Sequence, residues 1–417
     1  YQDRPFIPKP GRPADESGNS LRYLALILFP DGRIRAVDLG LAAAIDLAAL
    51  RLHQAFAGNA VSHLPAAQTL YRRAFQPLLQ HLGKSRQLFL APDGQLNLVP
   101  FAALHDGHRF LVDTFDITYL TSGKELLPRP ETPSPAHSVV VLADPDFGAP
   151  PAAPALMEQA PSALAERSAS LKDFFSTLRT PGLDVPWPPL PGTRQEAQAI
   201  QHLFPQAQVL VGVEATKQAL LKLSAPGLLH IATHGFFLED APQMPDVRAA
   251  DSFGAVAARP KARPEDPLLR SGLVLAGAQP QEVPLGAHRP EDSLVTALEL
   301  AGLNLWGTQL VVLSACDTGR GEVKRGEGVY GLRRALLVAG AETVVTSLWK
   351  VNDDVTRQLM EGYYRHLLAG HGRTRALREA MRQLRRKHPH PHYWAAFTAL
   401  GSDAPLQIQE GPGKAGD

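Results

Sequence analysis

Two short stretches carry residue types that could do covalent chemistry. In LLHIATHGFF, Leu228 to Phe237, an apolar run ends on His234-Gly235, and in TQLVVLSACDTG, Thr308 to Gly319, a second run ends on Ser314-Ala315-Cys316. In an open parallel sheet, ligands and catalytic groups sit at the carboxyl ends of strands. Two strands would thus bring an imidazole and a thiol to one rim, the makings of a cysteine nucleophile with its general acid/base. Gly235 lacks a Cβ and leaves its N–H open to a substrate carbonyl. With the N–H of Cys316 it would form an oxyanion hole, in which one donor is worth roughly 10² to 10³ in rate. The loop DTGRGEVKRGEG after Cys316 supplies the flexible backbone such a turn needs.

Each residue alone has a simpler reading. A histidine ending a buried strand is commonly a hydrogen-bonded structural residue, and a lone cysteine is commonly an inert apolar side chain. Joint placement at two strand ends favours the dyad. His230 competes for the imidazole role, but it lies inside the apolar run. GRGEVKRGEG lacks the Gly-Lys-Ser/Thr ending of a phosphate loop, and Glu322 and Glu327 read as solvated loop charges. His388, His390 and His392 alternate with prolines in an extended segment that reads as a loop rather than a metal site. In RTRALREAMRQLRRK, Ala376, Leu377, Met381 and Leu384 suit core contact, which leaves the arginines as a solvated helix face.

The elements around these residues alternate strand and helix. From Leu21 to about Leu120 an α/β block holds LRYLALILFPDGRIRAVDL as a hairpin, LAAAIDLAALRLHQAF and AAQTLYRRAFQPLLQHL as helices, and QLFLAPDG as a short strand. PRPETPSPAHS, Pro128 to Ser138, reads as a linker. The strand SVVVLADPDF follows, then a Pro-rich excursion from Gly148 to Pro191 with a helical island near Leu156 to Leu178. TRQEAQAIQHLF and ATKQALLKL read as helices and AQVLVG as a strand. Leu238 to Pro290 reads as irregular, EDSLVTALELAGL as a helix, and GVYGLRRALLVAGA as a helix stopped by Gly340. ETVVTSLW is the next strand; helices near Asp354 to Leu368 and Thr374 to Arg386 precede HYWAAFTALG, and a Gly-rich tail starts at Ile408. This order predicts an α/β fold with a mostly parallel sheet covered on both faces. The expected division is an N-terminal α/β block, 1–137, a main domain, 138–406, and a disordered tail, 407–417.

Composition narrows the function classes. The 417 residues carry 42 basic and 41 acidic side chains, a formal charge of +1, so bulk electrostatics give no case for nucleic acid or an anionic membrane. The single cysteine rules out an intrachain disulfide and any CxxC zinc or redox motif, which suits a reducing, cytoplasmic setting. No apolar run reaches membrane-spanning length, because YLALILF is closed by the turn Pro30-Asp31-Gly32. No cofactor or metal motif is present in the sequence. A start on Tyr-Gln-Asp without a signal pattern reads as a piece of a longer protein.

LLHIATHGFF and VVLSACDTGRGEVKRGEGVYGLRRALLVAGAETVVTSLWKVND resemble the two catalytic motifs of CHAT-domain proteins. These are caspase-like cysteine peptidases of the clan that also holds caspases, metacaspases, gingipains and separase. LFLAPDGQLNLVPFAALHD and PHYWAAFTALG resemble that family's early and terminal motifs. The resemblance implies a caspase-like αβα sandwich, with a preceding block similar to an inactive pseudo-caspase domain. It implies Cys316 as nucleophile, His234 as acid/base, and the Gly235 and Cys316 amides as oxyanion hole. The motif departs from caspases, which have QAC where this chain has SAC and a histidine about 50 residues before the cysteine, whereas 82 positions separate His234 from Cys316. SLWKVNDD resembles a separase segment whose aspartate lines the pocket for a basic P1 residue, which points to Asp353; Asn352 and Asp353 also stand where a helix N-cap belongs. Asp144 and Asp146, at the end of SVVVLADPDF, are rival pocket acids. The implied partners are a protein or peptide substrate, such as a gasdermin-like pore-forming protein, and a TPR region or other regulatory partner, in bacterial signalling or defence. The rival expectation is a catalytically silent CHAT domain acting as a signalling scaffold.

Overall fold

The computed structural model describes residues 21–127, 137–149, 187–237, 267–269, 271–279, 293–314 and 327–407, without the side chains of 237, 267 and 327–330. The chain divides into two compact units, Tyr1–Pro133 with Glu342–Asp417, and Ser134–Ala341. The first unit opens with β1 (Arg22–Leu28), β2 (Ile34–Leu41), α1 (Ala42–Ala57), α2 (His63–Leu70), α3 (Leu79–Leu82), β3 (Gln87–Leu90) and β4 (Asp116–Tyr119). The second runs through β5 (Val139–Pro145), α4 (Pro191–Leu203), β6 (Gln208–Gly212), α5 (Lys217–Leu221), β7 (Leu228–Ala232), β8 (His234–Phe237), β9 (Ser271–Val274), β10 (Leu294–Thr296), α6 (Ala297–Ala301), β11 (Leu310–Leu313) and α7 (Glu327–Val338). The first unit is completed by β12 (Thr343–Ser347), α8 (Asp353–Leu368), α9 (Arg373–Lys387), α10 (Pro391–Trp394) and β13 (Phe397–Gly401). The fold is mixed α/β with mostly parallel strand pairing, as the alternating sequence pattern predicts.

In the second unit β11, β7, β5 and β6 are neighbours in that order, all parallel. Successive residues of a strand point to opposite faces, yet every residue from Val139 to Ala143, from Leu228 to Ala232 and from Leu310 to Leu313 is buried. Both faces of this sheet are therefore covered, which is why these strands read as continuous apolar runs. Register aligns Leu142, Ile231 and Leu313, so β5, β7 and β11 finish at one edge. Helix α4 starts on Pro191, whose missing N–H costs nothing in the first turn. It packs along β5 and buries Thr193, Glu196, Ala197 and Ile200 on one face.

The predicted helix EDSLVTALELAGL is shorter than its apolar pattern. Leu294–Thr296 extends as β10, and Thr296 then caps α6 in a box with Glu299. The β-branched Val-Thr pair favours the strand, and the reciprocal cap fixes where the helix begins. Likewise, β9 and a turn at Pro267–Leu269 lie within the stretch read as irregular. The strand β8 pairs antiparallel with β9, and β9 with β10, in a separate three-strand sheet.

In the first unit β3 and β4 are parallel, β4 and β13 are parallel, and β13 and β12 are antiparallel. AAQTLYRRAFQPLLQHL is not one helix: a π-helical turn at Tyr71–Phe75 and a tight turn at Gln76–Leu78 separate α2 from α3. Pro77, which has no N–H to donate, sits at that break. Helix α9 buries Ala376, Leu377, Ala380, Met381 and Leu384, as its periodicity predicts. Its arginines are not simply a solvated face. Arg378 and Arg385 bond Asp116 and Asp113, and Arg373 is 1% exposed with Nη1 2.8 Å from Glu342 and 2.9 Å from Thr343.

The predicted island at 156–178, most of 238–290, the tail from 408, Cys316 and Glu322 lie outside the described residues. Among the described residues no helix is long and apolar enough to cross a membrane, and no group of three or more His, Cys, Asp or Glu side chains is arranged to hold a metal ion.

Candidate active site

The strand that leads to His234 is LLHIA, entirely buried. It ends at Ala232 rather than at the histidine. Thr233, whose hydroxyl donates to the Val274 carbonyl, marks the change of direction, and His234 opens β8 opposite Val274. The chain thus leaves one sheet and enters another within two residues. His234 is the first side chain after that switch.

The imidazole is 1% exposed. Its Nε2 lies 2.8 Å from the carbonyl oxygen of Pro188. A carbonyl can only accept, so Nε2 carries the hydrogen, and in the neutral ring the lone pair belongs to Nδ1. A base oriented by a third group is the arrangement that nucleophilic catalysis requires. The rings of Phe147 and Trp187 stand 5.2 and 5.5 Å from the imidazole, both inclined by 36°. With Phe236, Val274, Ala278 and Leu294 they form one buried apolar cluster. Gln279 fixes both walls, donating from its backbone to Phe147 and from Nε2 to Trp187, at 2.8 Å each.

Four residues before His234, His230 is fully buried on β7, with Nε2 3.2 Å from Oε1 of Glu196. The pair is a close polar contact rather than an aligned hydrogen bond. The other oxygen of Glu196 accepts from Ser314 Oγ at 3.1 Å. Ser314 directly follows β11, and its N–H extends the ladder to Ile231 at 2.9 Å. His230, the competing imidazole of the sequence, thus has a buried carboxylate neighbour.

The remaining sequence-derived site residues fall in different settings. Gly235 is buried in β8 opposite Leu273. Asp144 sits in an irregularity of β5 with φ 45°, where its N–H donates to Thr193 and its carboxylate accepts from Arg194 at 2.7 Å. Asp146 is exposed and its carboxylate accepts from the Gly148 N–H. Asp353 is half-buried in the first turn of α8, while Asn352 performs the cap by accepting from the Asp354 N–H at 3.0 Å. The structure therefore gathers His234, Pro188, Phe147 and Trp187 in one place. Cys316, the proposed nucleophile and second oxyanion donor, and Glu322 lie outside the described residues, as does the side chain of Glu327.

Sequence reasoning missed the Pro188 carbonyl, the aromatic walls and Glu196. A backbone carbonyl has no sequence signature. Glu196 did leave one: with Thr193, Ala197 and Ile200 it falls on the buried stripe of α4, where an acid is out of place.

Tetratricopeptide repeat protein 28 of Mus musculus is 29% identical over 365 residues, covering 82% of this chain and 13% of that protein. The Homo sapiens protein of the same name is 28% identical over 360 residues, with 82% and 13% covered. The chain thus spans about an eighth of the length of the curated relatives it matches. Among solved structures, the Saccharomyces cerevisiae separase–securin complex at 2.6 Å aligns with a TM-score of 0.38 and 14% identity, over 89% of this chain and 21% of that chain. Residues 64–402 match the family described as CHAT domain, a span that takes in the His234 and Cys316 motifs and the terminal strand β13, and the chain belongs to that family.

Proposed function

We propose that this CHAT domain is a cysteine endopeptidase. The Cys316 thiolate attacks the scissile carbonyl, and His234 protonates the departing amine. Water then cleaves the acyl-enzyme with His234 as base, while the Gly235 and Cys316 amides hold the oxyanion. The observation that carries the reading is the His234 imidazole, oriented by Pro188 just past the end of β7. The adjacent strand β11 runs into the segment of Cys316, which is two residues beyond Ser314, a covalent reach of about 7 Å.

The substrate is a protein segment with a basic P1 residue, which a carboxylate in the pocket would favour by a charge-assisted pair. Asp353 is the first candidate for that acid, on the resemblance of SLWKVNDD to the separase segment, and Asp144 and Asp146 are the rivals. The resemblance to CHAT peptidases points to bacterial signalling or defence, with a gasdermin-like protein as one substrate class, and the single cysteine suits a cytoplasmic setting. The name of the relatives points to a tetratricopeptide repeat region as regulatory partner. The proposed functional division, 1–137 and 138–406, follows the order of the family's motifs along the chain and does not coincide with the two compact units.

One observation favours a second reading. His234 is 1% exposed behind Phe147 and Trp187, as in a silent domain that serves as a scaffold. Incubation with fluorogenic Arg- and Lys-terminated peptides, beside Cys316→Ala and His234→Ala, separates the two. The peptidase reading expects release of the fluorophore by the wild type alone. Absence of thiol-dependent hydrolysis with every peptide favours the scaffold.

A further inference from the structure

We infer that Glu196 is a positioning residue for this site, tying the strand that leads to His234 to the strand that leads to Cys316; the inference rests on the peptidase reading above. Glu196 is 2% exposed on the buried face of α4. A carboxylate taken out of water is costly unless polar partners replace its hydration. Its two oxygens face two different strands. Oε1 is 3.2 Å from His230 on β7, four residues before His234, and Oε2 accepts from Ser314 Oγ, two residues before Cys316. An apolar residue would fill the same helix–sheet contact without the desolvation cost, so packing alone does not call for an acid here.

The two partners also share a ladder. Ser314 N–H donates to Ile231, the residue next to His230, so the hydroxyl contact adds a side-chain restraint to a backbone one. Together they fix the direction in which the chain leaves β11. On the peptidase reading, that direction bears on the Cys316 amide and thiol, two residues further along the chain. A displacement of about 1 Å in such a constellation can cost on the order of 10²-fold in rate. Glu196 acts through Ser314.

The test uses Glu196→Gln, Ser314→Ala and Ser314→Thr in the full chain, with thermal unfolding measured for each. Two rates are read: hydrolysis of an Arg-terminated peptide, and alkylation by iodoacetamide of Cys316, the only cysteine of the chain. For Glu196→Gln and Ser314→Ala we expect kcat to fall about 10-fold or more with KM nearly unchanged. Alkylation should slow in parallel, and Ser314→Thr, which keeps the hydroxyl, should restore both. Should Glu196→Gln fail to fold, Ser314→Ala, which removes one oxygen, still decides the matter. Alkylation and kcat within twofold of the wild type in folded Ser314→Ala would overturn the inference while leaving the peptidase intact. A wild type that hydrolyses nothing, yet whose alkylation still depends on Glu196 and Ser314, would end the peptidase reading and keep the positioning role.

Discussion

His234 Nε2 and the Pro188 carbonyl oxygen are 2.8 Å apart, and because a carbonyl only accepts, that bond places the hydrogen of the neutral ring on Nε2. The neutral imidazole is expected in the Nε2–H form. ¹⁵N shifts of His234, assigned with a His234→Gln control, should show Nδ1 as the unprotonated nitrogen. An Nδ1–H tautomer would mean that the carbonyl does not orient the ring.

The placement of β8 depends on a missing side chain. Gly272 lies opposite Phe236, and a Cβ there would collide with the Val295 backbone carbonyl of β10 and stand 2.5 Å from the Phe236 ring of β8. Gly272→Ala must therefore displace both neighbours of β9, at a cost of about 1–3 kcal/mol or more, with loss of any His234-dependent activity. Gly362 of α8 gives the contrast, since a Cβ there would meet Ala380 of α9 at an ordinary 3.6 Å. Gly362→Ala should stabilise by roughly 0.5–1 kcal/mol. Denaturant unfolding of the two variants checks both signs.

Arg373 is buried against Glu342 at 2.8 Å. Glu342→Gln removes the charge that compensates the buried guanidinium and should cost about 3–5 kcal/mol. Pairing it with Arg373→Met should recover part of that loss. Unfolding free energies for the double-mutant cycle give the coupling, and additivity would contradict it.

Acid should weaken the first unit before its carboxylates titrate. His53, His105 and His390 are all held below the ordinary value of 6.5, burial being the main cause for each. His390 shows the mechanism: Nε2 bonds the Ala60 carbonyl, Nδ1 accepts the His392 N–H as the cap of α10, and the ring of His63 is 3.9 Å away. A proton on Nδ1 removes the cap. Because the folded values lie below the unfolded ones, the unfolded chain takes up protons first as pH falls. The stabilisation is then present above about 6.5 and lost as pH falls through the folded values. The urea midpoint should drop between about pH 7.5 and 5, and less so in His390→Gln. A midpoint that rises on acidification over that window would contradict this.

The parts of the fold legible in sequence are those where burial is uniform. β5, β7 and β11 are covered on both faces and read as apolar runs, and His234 was readable as a polar residue at the end of one such run, although the strand itself stops at Ala232. β8, β9 and β10 were not, because Gly272 interrupts the side-chain pattern of β9 and Thr296 belongs equally to a strand end and a helix cap. Phe147, Trp187 and Pro188 reach His234 from 87, 47 and 46 positions away in sequence, and no local spacing encodes such contacts. The ion pairs of Arg378 and Arg385 were missed for the same reason, since Asp116 and Asp113 lie in a distant segment.

The central claim is a Cys316 thiolate made reactive by His234. Its most direct measurement is mass spectrometry of the chain after incubation with a peptidyl-arginine acyloxymethyl ketone, for the wild type, His234→Ala and heat-unfolded protein. The account predicts one adduct, on Cys316, formed by the folded wild type and suppressed in the other two. No adduct, or one that forms equally fast without His234 or without the fold, would contradict it.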